Sequence, residues 1–138
     1  MIETYRGIVY PSQLDHMGHM NVQWYTSKFD EGTWHLFSLL GITNEYIKSQ
    51  NRGMAALEQN IKYSAEGFAG DLLVVRSQLL EVNSKTLKFQ HIMYNTETEK
   101  EMARSTLVAA HLDRVARRAC EIPPQIVNQC NAMMARQG

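Results

Sequence analysis

Only two cysteines occur in the 138 residues, Cys120 and Cys130, too few for a disulfide framework. Reduced thiols and a cytoplasmic setting are therefore expected. No apolar run approaches the ~18–20 residues of a membrane-spanning helix. The opening stretch, MIETYRGIVY, lacks the basic and apolar regions of a signal peptide. Neither sign of charge is in excess, since fourteen Lys plus Arg meet fourteen Asp plus Glu. Without a basic surplus there is no electrostatic drive toward nucleic acid or an anionic membrane, and neither is expected as a partner. No internal repeat, linker or low-complexity segment interrupts the chain.

What is present has a globular profile: 44% hydrophobic and 20% charged residues separate the chain from disordered sequences. The length suits one domain, since domains usually run ~100–200 residues. The expectation is a single domain over 1–138, with a core to about residue 122 and a tail, 123–138, that can be helical.

Periodicity organises that domain. Thr4 to Tyr10 is rich in β-branched and aromatic residues and stops at Pro11, so it reads as a strand. The polar loop PSQLDHMGHMN follows. Asn21 is a good N-cap, with Met20 and Tyr25 placed as a hydrophobic staple. Val22, Tyr25, Phe29, Gly32, Leu36 and Leu39 then recur at helical steps, and Gly41 ends the helix. Gly32 in the middle of that apolar face costs about 1 kcal/mol relative to Ala. Its presence there predicts a helix lying very close to a sheet.

After the helix the period becomes two. Ala55, Leu57, Ile61 and Tyr63 alternate with Met54, Glu58, Asn60 and Lys62. Gly70 and Asp71 turn the chain into LLVVRSQLLEV, Asn83 and Ser84 turn it again, and Leu87 to Tyr94 form the next strand. A last long strand is predicted from about Glu101 to Asp113. The order of strand, long helix and four strands implies an α+β fold, with an antiparallel sheet of about five strands curled around one long central helix. Exposed sheet edges would be protected by pairing across a dimer.

The loop before the helix concentrates the candidate chemistry: Asp15, His16, Gly18, His19 and Asn21 fall within seven residues. They arrive at a helix N-terminus, where unpaired N–H groups and the positive dipole end favour developing negative charge. A carboxylate there can activate water, or attack directly, at a carbonyl whose oxygen those N–H groups hold. The geometry suits acyl transfer or hydrolysis. An ordinary helix cap is the other reading of the same residues.

The stretch LDHMGHMNVQWY resembles the Asp-x-x-Gly-His-x-Asn…Tyr signature of hotdog-fold acyl-CoA thioesterases of the 4-hydroxybenzoyl-CoA thioesterase type. The resemblance extends over most of the chain. KYSAEGFAGDLLVV is similar to the family's Tyr…Gly-Asp turn into the third strand, and SKTLKFQHIMYN and ARSTLVAAHLD to the strands after it. EIPP resembles the proline-marked end of the domain. This resemblance implies hydrolysis of an acyl thioester, on CoA or acyl carrier protein, to free acid and thiol in a homodimer or homotetramer, with the site between subunits. It implies Asp15 as general base or nucleophile and the Val22 backbone N–H as the group polarising the carbonyl. Gly18 would permit close approach of substrate, while His19 and Asn21 would shape the loop and helix start. No cofactor is required, because water is the co-substrate.

The chain departs from the family pattern at three places. Gln13 stands where many members have another Asp, Val22 follows Asn21 where many have a second Asn, and Glu66 lies near the usual site of a proline. Glu58 and Asn60 share a strand face and are candidates for lining an acyl pocket, with ordinary strand polarity as the other reading. Asp30 and Glu31 lie on the helix, where a related hotdog branch uses a carboxylate; on the side away from Gly32 they read as a solvated face. His16 and His19 have metal-compatible spacing but lack a third ligand, so no metal is expected. Arg114, Arg117 and Arg118 are candidates for CoA phosphates. A non-catalytic acyl-CoA binding module on the same fold, a 2-enoyl-thioester hydratase or dehydratase, and a dimerising scaffold are the alternatives.

Overall fold

The structure is a computed structural model and describes residues 1–137. Strand β1 (Ile2–Ile8) leads through a single 3-10 turn at Pro11–Gln13 to helix α1 (Val22–Leu39). A second helix, α2 (Asn44–Gln50), precedes β2 (Arg52–Tyr63), β3 (Leu72–Val82), β4 (Thr86–Asn95) and β5 (Glu101–Asp113). A two-residue strand, β6 (Arg118–Ala119), and helix α3 (Pro124–Gln137) complete the described chain. All pairings are antiparallel, in the order β1-β3-β4-β5-β2, with β6 beside β5. The α+β class and the five long strands agree with the sequence pattern. The short α2 was not expected from it, and the tail is a full helix.

Local signals explain α1. The Asn21 side chain accepts from the Gln23 N–H at 3.0 Å, and Met20 and Tyr25 are both buried in one apolar cluster. At the far end Gly41 has φ +94°, and the N–H groups of Gly41 and Ile42 bond back to Ser38 and Phe37. That left-handed residue is what the glycine supplies. The buried face holds Tyr25, Phe29, Gly32 and Leu36 as predicted, but Val22 and Leu39 are exposed. Those two are the first and last residues of α1 and lie at the ends of its contact with the sheet. Lys28, Thr33 and Phe37 are buried in their place.

Gly32 marks the closest approach. A Cβ built on it would stand 3.0 Å from Thr4 Oγ1, with Val75 and His91 just behind. Around this point the core divides. One apolar cluster, including Phe37, Leu79, Phe89, Ile126 and Met133, lies toward α3. Another, including Met20, Tyr25, Phe29, Leu73 and Met93, lies toward the helix start. Between them runs a buried polar row in which Thr4, Ser77, His91 and Thr33 are hydrogen-bonded in sequence. Helix α3 covers the first cluster, and its Gln137 amide pairs with both backbone groups of Leu79 at 2.8 Å.

Candidate active site at the start of the long helix

The loop from Leu14 to Met20 closes into a small hairpin. Leu14 and Met20 form an isolated bridge, the Asp15 N–H donates to the His19 carbonyl at 2.9 Å, and the Asn21 N–H donates to the Gln13 carbonyl at 2.9 Å. Gly18 sits at the tip with φ +86°, a conformation that L side chains rarely adopt. This pairing sets Asp15 opposite His19 and one rung from Met20, immediately before the helix cap. The Asp15 carboxylate is itself fixed, because Oδ1 accepts from the Met17 N–H at 2.8 Å. Its other oxygen, Oδ2, faces His19 Nδ1 at 3.9 Å, while His19 Nε2 lies 3.8 Å from Glu66. An imidazole thus stands between two carboxylates.

Beside this hairpin is a cleft of about 260 Å³ lined by His19, Met20, Val22, Tyr25, Glu66 and the end of β2 at Tyr63–Ala65. The Val22 N–H begins the helix and has no hydrogen-bond acceptor among the described residues. Tyr25 donates its hydroxyl to the Ala65 carbonyl at 3.1 Å and packs edge-on against Tyr63 at 5.1 Å. Burial holds the Tyr25 phenol above its usual range, which suits packing rather than proton transfer. His16 is exposed. The hairpin thus carries Asp15, Gly18, His19 and Asn21 to the helix start, and of the predicted site residues His19 and Val22 line the cleft.

Glu58 and Asn60 do not join them. They share a face, as expected, but it is the outer face of the sheet, where they adjoin Lys62, Lys88, Arg104 and Thr106. The cause is a bulge. Ala56 pairs with Ala109 and Glu58 with Val108, so Leu57 is the extra residue and the alternation slips by one. Gln59 consequently faces α1 together with Ala56. These two residues and Met54 border a second cavity, of about 410 Å³, against Phe89, Leu107 and the flank of α1 from Gln23 to Phe37. Asp30 and Trp34 line it too.

The sequence profile of the Thioesterase-like superfamily matches residues 9–130. The chain belongs to that superfamily. Its thioesterase relatives include betainyl-CoA thioesterase from Pseudomonas aeruginosa, 23% identical over 96% of this chain and 84% of that protein. Another is L-carnitine dehydrogenase/betainyl-CoA thioesterase from Agrobacterium fabrum, 26% identical over 90% of this chain. The thioesterase-like chain spans only 25% of that longer protein. In fold it matches a hypothetical protein from Staphylococcus aureus solved in complex with CoA, with a TM-score of 0.91 at 18% identity, covering 100% of this chain and 89% of that one.

Local sequence reading of this thioesterase-like chain missed Tyr63 and Ala65 as cleft residues, and Gln59 and Asp30 as cavity residues. The KYSAEGFAGDLLVV stretch that holds Tyr63 and Ala65 marks a turn rather than a cleft wall, and Gln59 and Asp30 carry no local motif. The pairing of β2 with β5 brings the first three into place. Asp30 is indeed exposed, but on the flank that faces β2.

Proposed function

We propose that this chain is an acyl-CoA thioesterase with the hotdog fold, its helix-start site being of the 4-hydroxybenzoyl-CoA thioesterase type. The observation that carries the reading is the hairpin that pairs Asp15 with His19 immediately before the helix start, where the Val22 N–H has no acceptor among the described residues. The thioester carbonyl oxygen accepts from Val22, and the Asp15 carboxylate either takes a proton from the attacking water or adds to the carbonyl itself. Collapse of the tetrahedral intermediate expels the CoA thiolate, which is then protonated. The water route leaves the free acid directly, and the carboxylate route leaves a mixed anhydride with Asp15 that water then hydrolyses to the free acid. His19, between Asp15 and Glu66, holds the loop in the geometry this requires. The dipole at the start of α1 favours the oxyanion over the neutral carbonyl.

One domain over 1–138, working in the cytoplasm as a homodimer that can pair into a homotetramer, fits this reading. Strand β2 is the outermost strand, and its residues 56–60 are exposed, as an unpaired dimer edge would be. The activity named for the betainyl-CoA thioesterase relatives points to acyl groups of the betainyl kind. Steady-state hydrolysis of an acyl-CoA panel by wild type and Asp15→Asn tests the mechanism. Loss of a proton-accepting carboxylate lowers kcat on the order of 10²–10⁴-fold. Equal rates for the two proteins refute it.

A further inference from the structure

The cavity between α1 and β2 has a lining whose chemistry selects a ligand class. Asp30 is its one ionisable residue, and no Lys, Arg or His borders it. Among the described residues Asp30 has neither an ion pair nor a side-chain hydrogen bond, in contrast to Asp15, Asp71 and Asp113. One exposed aromatic ring, Trp34, stands with it, and Phe37 and Phe89 are buried behind the lining. Trp34 meets Phe37 edge-on at 5.6 Å, and Phe37 meets Phe89 edge-on at 5.3 Å. The rest of the lining is apolar or uncharged, including Met54, Leu107, Thr33 and Gln59.

A neutral acyl chain would be satisfied by the aromatic and aliphatic walls alone and would gain nothing from the carboxylate, which is exposed to water. A carboxylate acyl group would be repelled. A cation with a large, weakly hydrated surface uses both features, since aromatic faces attract cations and the carboxylate neutralises the charge. Placement agrees. Asp30 follows Val22 by eight residues, about 12 Å along the helix axis, and its side chain leans back toward the helix start. An acyl chain extending from a carbonyl held at Val22 along this flank runs toward Asp30.

We propose that this cavity is the acyl-group site and that it takes acyl groups ending in a quaternary ammonium, with Asp30 as counter-ion and Trp34 as the aromatic face. The proposal rests on the thioesterase reading for its orientation, and it names Asp30 as the specificity-determining residue. The axial spacing favours a cation several bonds from the carbonyl over one directly beside it.

The test compares each cationic substrate with its neutral isostere. Trimethylammonioacetyl-CoA is paired with 3,3-dimethylbutanoyl-CoA, and 4-trimethylammoniobutanoyl-CoA with 5,5-dimethylhexanoyl-CoA. In wild type the cationic member of the longer pair is expected to have the higher kcat/KM by about tenfold or more. Asp30→Asn lowers that cationic-to-neutral ratio about tenfold, and Trp34→Leu also lowers it. Glu31→Gln, one residue along but outside this cavity, leaves the ratio where it was. A ratio near one in wild type, or an unchanged ratio in Asp30→Asn, overturns the proposal even if both thioesters are hydrolysed. Should no acyl-CoA be turned over, the thioesterase reading fails separately. Calorimetric titration with the thioether analogues of the longer pair then decides the cavity: a cationic preference that Asp30→Asn abolishes upholds the site, and equal binding of the two analogues overturns it.

Discussion

His91 makes the stability of this protein depend on pH in a way that can be worked out from its surroundings. The imidazole is fully buried, stacked on Phe29 at 5.8 Å and edge-on to Phe89 at 5.5 Å. Its Nε2 meets Thr33 Oγ1 at 2.8 Å and its Nδ1 meets Ser77. Burial pushes its pKa down from 6.5 to about 4. The folded state thus binds its proton later than the unfolded state as pH falls. Stability is fully present above pH 6.5 and declines as pH drops toward 4, by about 1.4 kcal/mol per pH unit. Over the whole window the loss is on the order of 3 kcal/mol, a large part of the stability of a small domain. Burial also lowers the His111 pKa, so wild type alone does not isolate the effect.

The comparison that isolates it is His91→Gln, since Gln can still donate to one hydroxyl and accept from the other. Urea unfolding, followed by tryptophan fluorescence at fixed protein concentration, is measured at several pH values from 7.5 to 4.5. At pH 7 the variant is less stable, by about 1–3 kcal/mol for the altered buried hydrogen bonds. That gap narrows steadily toward pH 4.5, because only wild type loses the His91 contribution. His111 is present in both proteins and cancels. Parallel stability curves over this range would refute the assignment of a neutral, desolvated imidazole at the centre of the core.

Two other residues give simple tests. Gly32→Leu drives a side chain into Thr4, Val75 and His91, with the first atom already at 3.0 Å, and lowers stability by about 1–3 kcal/mol through overpacking; an unchanged Tm contradicts the close helix–sheet contact. Burial raises the Cys130 thiol to about 11, and Cys130 is fully enclosed, whereas Cys120 is partly exposed. At pH 8 a disulfide reagent therefore titrates Cys120 in the native protein and reaches Cys130 only on unfolding; equal native rates contradict the packing of α3.

Residue order reveals what depends on short-range physics. The N-cap Asn21, the staple of Met20 and Tyr25 and the terminating Gly41 all act within a few residues, and α1 begins and ends where they place it. The five long strands follow from period-two alternation between turn residues. The hairpin of Asp15, Gly18 and His19 is equally local, formed by residues within seven positions before the helix. Alternation failed where it met β2. The bulge at Leu57 leaves no mark in the residue pattern, because it reflects how β2 registers against β5, and it sends Glu58 and Asn60 to the outer face while turning Gln59 inward.

The apolar stripe of α1 shows the same division at its edges. Helical periodicity selected its centre, but whether Val22, Lys28 or Leu39 is covered depends on how far β1 and β3 extend along the helix. Asp30 is the sharpest case. Its sequence neighbours make it an ordinary polar residue on an exposed helix face. The strands that curl past that face place Phe89 and Leu107 across from it and convert it into the single charge of an aromatic cavity. Capping, periodicity and turn chemistry are encoded by neighbours along the chain, whereas the character of a cavity belongs to residues more than fifty positions apart that meet only when the sheet closes.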